Sequence, residues 1–158
     1  MKNTTQKIVL SAMLAALACV ATMVVQIPSP FKGYINLGDC VVLLSGWLLP
    51  PFYGFLAAGL GSALADIFAG YIIYAPITFL IKGLMSITAY YSFKKFSSRV
   101  LGGIAAECIM VFGYYAFEGV LYGFIPALVS LPVNAVQGVA GLILGLLLFN
   151  LFSKAKLF

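Results

Sequence analysis

The chain has 158 residues, 63% of them hydrophobic and 8% charged, with a mean hydropathy of +1.11. A soluble domain averages about 45–50% apolar and about 25% charged residues, so a water-soluble fold is excluded and an integral membrane protein remains. The net charge of +5 does not mark a nucleic-acid partner: Lys2, Lys7, Lys94, Lys95, Arg99, Lys154 and Lys156 fall at segment ends, not in a basic surface block.

At about 20 residues per spanning helix, the chain has room for six spans, one membrane domain over 1–158 and no soluble domain. The first span covers about 5–27. Lys2 and Lys7 precede it, but the apolar run from Ile8 to Ile27 is long enough to cross and no small-residue cleavage site interrupts it. It is therefore expected to stay in the mature protein. Pro28-Ser29-Pro30 and Phe31-Lys32-Gly33-Tyr34 break the run into an extended loop. A short second span, about 37–49, ends at Pro50-Pro51. A third, about 52–69, leads through Gly70-Tyr71 into a fourth at about 77–93. The fifth is expected at about 100–122. A turn over 123–132 with two prolines then leads to the sixth, about 133–152.

Six spans place both termini on one side. The basic residues at the termini and in the 94–99 loop mark that side as cytoplasmic, since only Lys32 lies in a loop on the other. The fold expected is an all-α compact six-helix bundle, multi-pass in the cell membrane.

Sorting the polar residues by depth then exposes an asymmetry. Asn36 and Asp39 fall at the outer end of the second span, and Asp66 about one turn below the outer end of the third. Lys82 lies some 10 Å into the fourth span at 1.5 Å per residue. Tyr114 and Glu118 occupy the outer part of the fifth, while Asn134 and Gln137 open the sixth. Glu107 alone sits nearer the inner face. A pore needs polar groups through its full depth, whereas this pattern draws a cup open to the outside. Phe31, Tyr34, Tyr71, Tyr74, Tyr114, Tyr122 and Phe124 crowd its rim. A small planar solute could stack on such rings while the carboxylates, amides and Lys82 bind its edge.

Plainer readings stand beside this one. For any single tyrosine an interfacial belt is the commoner role. Asp66 and Lys82 can equally form a structural ion pair between spans. Asn36 and Asp39 can cap the second helix. Small residues form faces on the first span (Ser11, Ala12, Ala15, Ala16, Ala18), the third (Gly54, Ala57, Ala58, Gly61) and the sixth (Gly138, Gly141, Gly145). Such faces let helices approach closely in lipid. On the third and sixth spans internal packing is the expected use; on the first, Ala12 and Ala16 form an AxxxA that a partner could dock against. Cys19, Cys40 and Cys108 are scattered and histidine is absent, so neither a metal site nor a cofactor is expected. No GxxxxGK[ST] loop is present, so energy for uphill movement would come from another chain.

The AxxxA face, INLGD at 35–39 and GSALADIFAGYIIYAPITFLIKG at 61–83 together resemble the substrate-binding S components of energy-coupling factor (ECF) transporters, in size and layout over essentially the whole chain. The resemblance implies a subunit that binds a water-soluble vitamin or precursor from outside and works with a transmembrane coupling T subunit and two ABC-type ATPases. It implies that Ala12 and Ala16 face the T subunit and that the loop around 28–36 lids the pocket. The most similar branch takes up riboflavin, hydroxymethylpyrimidine or pyridoxine, and the short loops favour one of the two smaller rings over riboflavin. The expected binding residues are Tyr34, Asn36, Asp39, Asp66, Tyr74, Lys82, Tyr114, Glu118, Asn134 and Gln137. The competing functions are a stand-alone facilitator and a membrane enzyme built on Asp39, Asp66 and Glu118, the latter lacking any histidine, nucleophile elbow or metal cluster to complete it.

Overall fold

The computed structural model describes residues 3–28 and 34–154. Six helices carry the chain: α1 (Thr4–Val24), α2 (Asp39–Leu48), α3 (Pro51–Phe68), α4 (Ala75–Phe96), α5 (Arg99–Tyr122) and α7 (Ser130–Lys154), with a single turn, α6 (Phe124–Ala127), before the last. Between α1 and α2, β1 (Ile27–Pro28) and β2 (Tyr34–Ile35) pair antiparallel, Ile27 opposite Ile35. Phe31 and Lys32 lie outside the described residues, as do Lys2 and Lys156.

The punctuation is local. Pro51 opens α3 at a position whose amide has no helical partner anyway, and Leu49 before the Pro pair is extended. Ser98 caps α5, its hydroxyl accepting from the Leu101 amide at 3.3 Å. The stretch predicted as a turn, 123–132, is mostly helical: Gly123, at φ 95°, breaks the chain, α6 follows at once, and α7 begins at Ser130 with Pro132 in its first turn. Proline is tolerated there because first-turn amides lack intrahelical acceptors.

Four helices (α1, α3, α5 and the α6–α7 stretch) are long and apolar enough to cross a membrane. At 22 residues α4 has the length as well, but Lys82, Thr78, Ser86, Thr88 and Ser92 dilute its hydropathy. The short, apolar α2 is different. Its ten residues reach about 15 Å, half a membrane, and Asp39 through Trp47 are all buried. A helix apolar on every side belongs inside a bundle, and α2 is packed against α1, α3, α4 and α7. Around it the neighbours run α1–α3–α4–α5–α7. The larger apolar cluster joins Val42, Leu43, Leu44 and Trp47 to Ile81, Met85, Ala106 and Met110.

Glycines set how closely the outer helices approach. Gly61 of α3 lies against the Ala15 carbonyl and the Ala18 methyl of α1. A Cβ on Gly141 of α7 would stand 2.6 Å from that of Asp39. Gly141 lies eleven residues past Ser130, so this contact puts the start of α2 well inside the bundle. The hairpin end of the bundle above it is left to polar side chains.

Candidate ligand-binding site

Five separate segments send side chains into one cavity at the hairpin end. The β2 strand and the turn after it supply Tyr34 and Asn36. The end of α3 supplies Asp66, and the turn beyond it Tyr71. The start of α4 supplies Tyr74 and Thr78; α5 supplies Tyr114 and Glu118; α7 supplies Asn134 and Gln137. The spacing does much of this: 74 and 78, and 114 and 118, are four apart and share a helix face. Tyr71 is placed by the way α3 ends. Its amide bonds to the Asp66 carbonyl (2.7 Å) and that of Gly70 to Ile67 (3.2 Å), with Gly70 at φ 83°. This is a glycine-dependent helix stop that folds the chain back. It sets Tyr71 against Tyr34, ring centroids 4.8 Å apart and tilted by 47°.

The space encloses about 430 Å³ when its open mouth and the solvent there are counted. The room left for the centres of water-sized molecules is only about 40 Å³, enough for a few waters. A ring would enter by moving side chains at the mouth.

Beneath the cavity lies a buried network. Lys82 of α4 pairs with Asp39 at the first residue of α2, both almost fully enclosed. Gln137 donates to the other Asp39 oxygen (2.6 Å) and accepts from the Asn36 amide (3.0 Å). The Asn36 side chain accepts from the Gly38 amide (2.9 Å), tightening the turn into α2. Each carboxylate oxygen of Asp39 thus has a donor, which is what makes a buried charge tolerable. The Lys82 ammonium also lies 5.5 Å from the Tyr114 ring centroid, within cation–π range.

Around the cavity itself, the Tyr34 hydroxyl donates to Asp66 Oδ1 (2.7 Å), the Tyr74 hydroxyl approaches Glu118 Oε1 (3.4 Å), and Thr78 and Tyr114 share a hydroxyl hydrogen bond (3.0 Å). Burial, and then the Asp66 charge, push the Tyr34 hydroxyl above its ordinary pKa, so it remains a donor. Asp66 Oδ2 and Glu118 Oε2 are buried and lack a hydrogen-bond partner among the described residues.

Eight of the ten predicted binding residues line the cavity. Asp39 and Lys82 do not: they form its foundation, because the second helix starts deep in the bundle rather than at its outer end. The alternative ion pair of Lys82 with Asp66 is corrected on the same ground, since Lys82 pairs with Asp39 and Asp66 with Tyr34. The capping alternative is corrected too: Gly38 is the N-cap of α2 and no side chain caps the helix, the Asn36 side chain accepting from the Gly38 amide in the turn before it and Asp39 bonding to side chains. Thr78 was missed, though it lies four residues before Lys82 and four after Tyr74, a spacing that could have found it. Phe124 of the predicted rim packs on Gly119 and Tyr115 outside the cavity lining. Glu107 lies lower, its oxygens against Gly138 and Gly141, and both lack a partner among the described residues. Those residues include no group of three His, Cys, Asp or Glu able to hold a metal.

On α1 the small-residue face divides. Ala15 and Ala18 pack inward on Gly61, whereas Ala12 and Ala16 are exposed. Ala12 borders an apolar groove between α1 and α3 with Ile8, Phe52 and Leu56.

Known proteins resemble this chain in sequence and in shape. Residues 2–154 match the family described as ECF-type riboflavin transporter, S component. A Pyrococcus woesei protein described as an uncharacterized protein in the gap 3'region is 38% identical over 130 residues, covering 80% of this chain and 87% of that one. A structure reported for the S component of a bacterial ECF transporter superposes with a TM-score of 0.80 at 23% identity, over 98% of this chain and 99% of the other. At that identity the likeness speaks for the fold.

Proposed function

Since this chain belongs to the ECF-type riboflavin transporter S component family, by a match over residues 2–154, we propose that it captures a small heteroaromatic vitamin or precursor in the cavity at the hairpin end. The bound molecule would then pass inward with the help of a T subunit and two ABC-type ATPases. The observation that carries this reading is the convergence of polar and aromatic side chains from five segments on one mouth-open cavity, above a floor closed by the Lys82–Asp39 pair. Asp66, Glu118, Thr78 and Asn134 would meet the edge of the ring, with Tyr34, Tyr71, Tyr74 and Tyr114 against its faces. Gln137 and Asn36 would hold the floor in place.

The described basic residues other than Lys82 are Lys7, Lys94, Lys95, Arg99 and Lys154, all toward the end of the bundle opposite the hairpin. By the positive-inside rule this supports cytoplasmic termini in the cell membrane and a cavity mouth facing outward. A cysteine placed at Ser153, in a chain whose three native cysteines are replaced by alanine, should react with an impermeant maleimide in inside-out vesicles and not in intact cells. The opposite pattern would reverse the orientation.

The small interior supports pyridoxine or hydroxymethylpyrimidine as the cargo. Riboflavin is the second reading, and the family's own description favours it. Calorimetric titration of purified protein with all three should give saturable binding by at least one, at nanomolar to micromolar dissociation constants. Trp47 packs at the far end of α2 against Phe149, so heat is a better readout than its fluorescence. Three flat titrations up to millimolar ligand would end the vitamin reading.

A further inference from the structure

The hydrogen-bonding groups of the site divide into those already occupied and those still open. Gln137 uses its amide NH₂ on Asp39 and its carbonyl on the Asn36 amide. Lys82 is committed to Asp39. The Tyr34 and Tyr74 hydroxyls point at Asp66 and Glu118. Among the buried carboxylate oxygens of the cavity-lining residues, two acceptors are left over: Asp66 Oδ2 on α3 and Glu118 Oε2 on α5, flanking α4, in residues only 6% and 4% exposed. No Lys or Arg is among the described residues that line the cavity. The remaining walls are four tyrosine rings, whose faces attract cations, with Asn36, Thr78 and Asn134 among them.

A buried carboxylate oxygen with no donor carries a desolvation cost. Both residues line a cavity whose walls also carry four tyrosine rings. Resting on the vitamin-binding function proposed above, we propose that the cavity selects rings bearing a positively charged or donor-rich nitrogen edge, an amine or amidine-like group whose N–H bonds reach Asp66 and Glu118, over rings that offer hydroxyls or carbonyls at the same place. A protonated amine supplies both missing donors and a charge opposite to the two acids, and charge-assisted hydrogen bonds are about twice as strong as neutral ones. The carboxylates are thus the discriminating groups, and the tyrosines hold the ring in plane.

Matched probes test this on the wild-type protein. Pyridoxamine and pyridoxine differ by an aminomethyl in place of a hydroxymethyl; the amino-substituted hydroxymethylpyrimidine and its hydroxyl-substituted counterpart form a second pair; riboflavin serves as a neutral large ring. In calorimetry the amine of at least one pair should bind about tenfold or more tightly than its partner, the size of one charge-assisted hydrogen bond. Asp66→Asn and Glu118→Gln, nearly isosteric, should cut that preference toward parity, weakening the amine more than its hydroxyl-bearing partner. Equal affinities within both pairs, riboflavin binding more tightly than every amine, or a preference untouched in both variants would overturn the inference and leave vitamin binding standing. No binding by any ring would overturn both.

Discussion

A lysine near the centre of a spanning helix costs about 2.5–3.5 kcal/mol on insertion scales, and Lys82 is 2% exposed. Asp39 answers that charge, and Gln137 answers the second oxygen of Asp39. Removing one partner leaves the other buried and uncompensated, typically a loss of about 3–5 kcal/mol. Lys82→Met should therefore lower the thermal midpoint in detergent sharply, and adding Asp39→Asn should restore much of it. A single variant as stable as wild type would show that the pair is not holding α2 to α4. The spacing of Tyr74, Thr78 and Lys82 at intervals of four was legible in the sequence and places all three on one face of α4. The partner of Lys82 was not, because Asp39 and Asp66 are both plausible until the depth of α2 is known.

At the level of elements, α2 decides the architecture. A ten-residue helix cannot cross a bilayer about 30 Å thick, so it occupies the lower half of the bundle and leaves the upper half to the cavity. The stripe of Gly138, Gly141 and Gly145 lets α7 lie against it. A Cβ at 141 would meet Asp39 Cβ at 2.6 Å, whereas one at 145 would meet the Cys40 carbonyl at 3.3 Å. Gly→Ala gains about 1 kcal/mol of helix propensity, and overpacking costs about 1–3 kcal/mol. Gly141→Ala should thus be neutral to destabilising and should weaken vitamin binding by shifting the Asp39–Gln137 contact, while Gly145→Ala should be neutral or stabilising. Calorimetry and thermal melts of the two variants side by side check this; a reversed order would mean that α7 is not pinned at Asp39.

The whole molecule is polarised. The cavity and the polar side chains that line it sit at the hairpin end, and Ala12 and Ala16 present an exposed small-residue surface on α1 beside an apolar groove. In lipid, such surfaces bind by close van der Waals approach, so bulk there should block a partner without touching the cavity. Ala12→Trp with Ala16→Trp should leave vitamin affinity unchanged, and should reduce uptake into proteoliposomes holding the T subunit and ATPases by at least about tenfold, since interfaces rarely absorb two large wedges. Unimpaired uptake would place the partner surface elsewhere. Uptake by this chain alone, without ATPases, would favour the stand-alone facilitator instead.

The sequence by itself determined the membrane class, the positions of the six main helices to within a few residues, and eight of the ten residues lining the cavity. These follow from local properties: apolar run length, proline and glycine punctuation, and helical spacing, each set by residues near one another in the chain. Only the tertiary structure decided that α2 stands inside the ring of helices, that Lys82 belongs to Asp39, and which half of the small-residue face on α1 is used internally. Those outcomes depend on contacts between residues about forty to a hundred positions apart and on how closely glycines let helices approach. Neither quantity is written in the order of the residues alone.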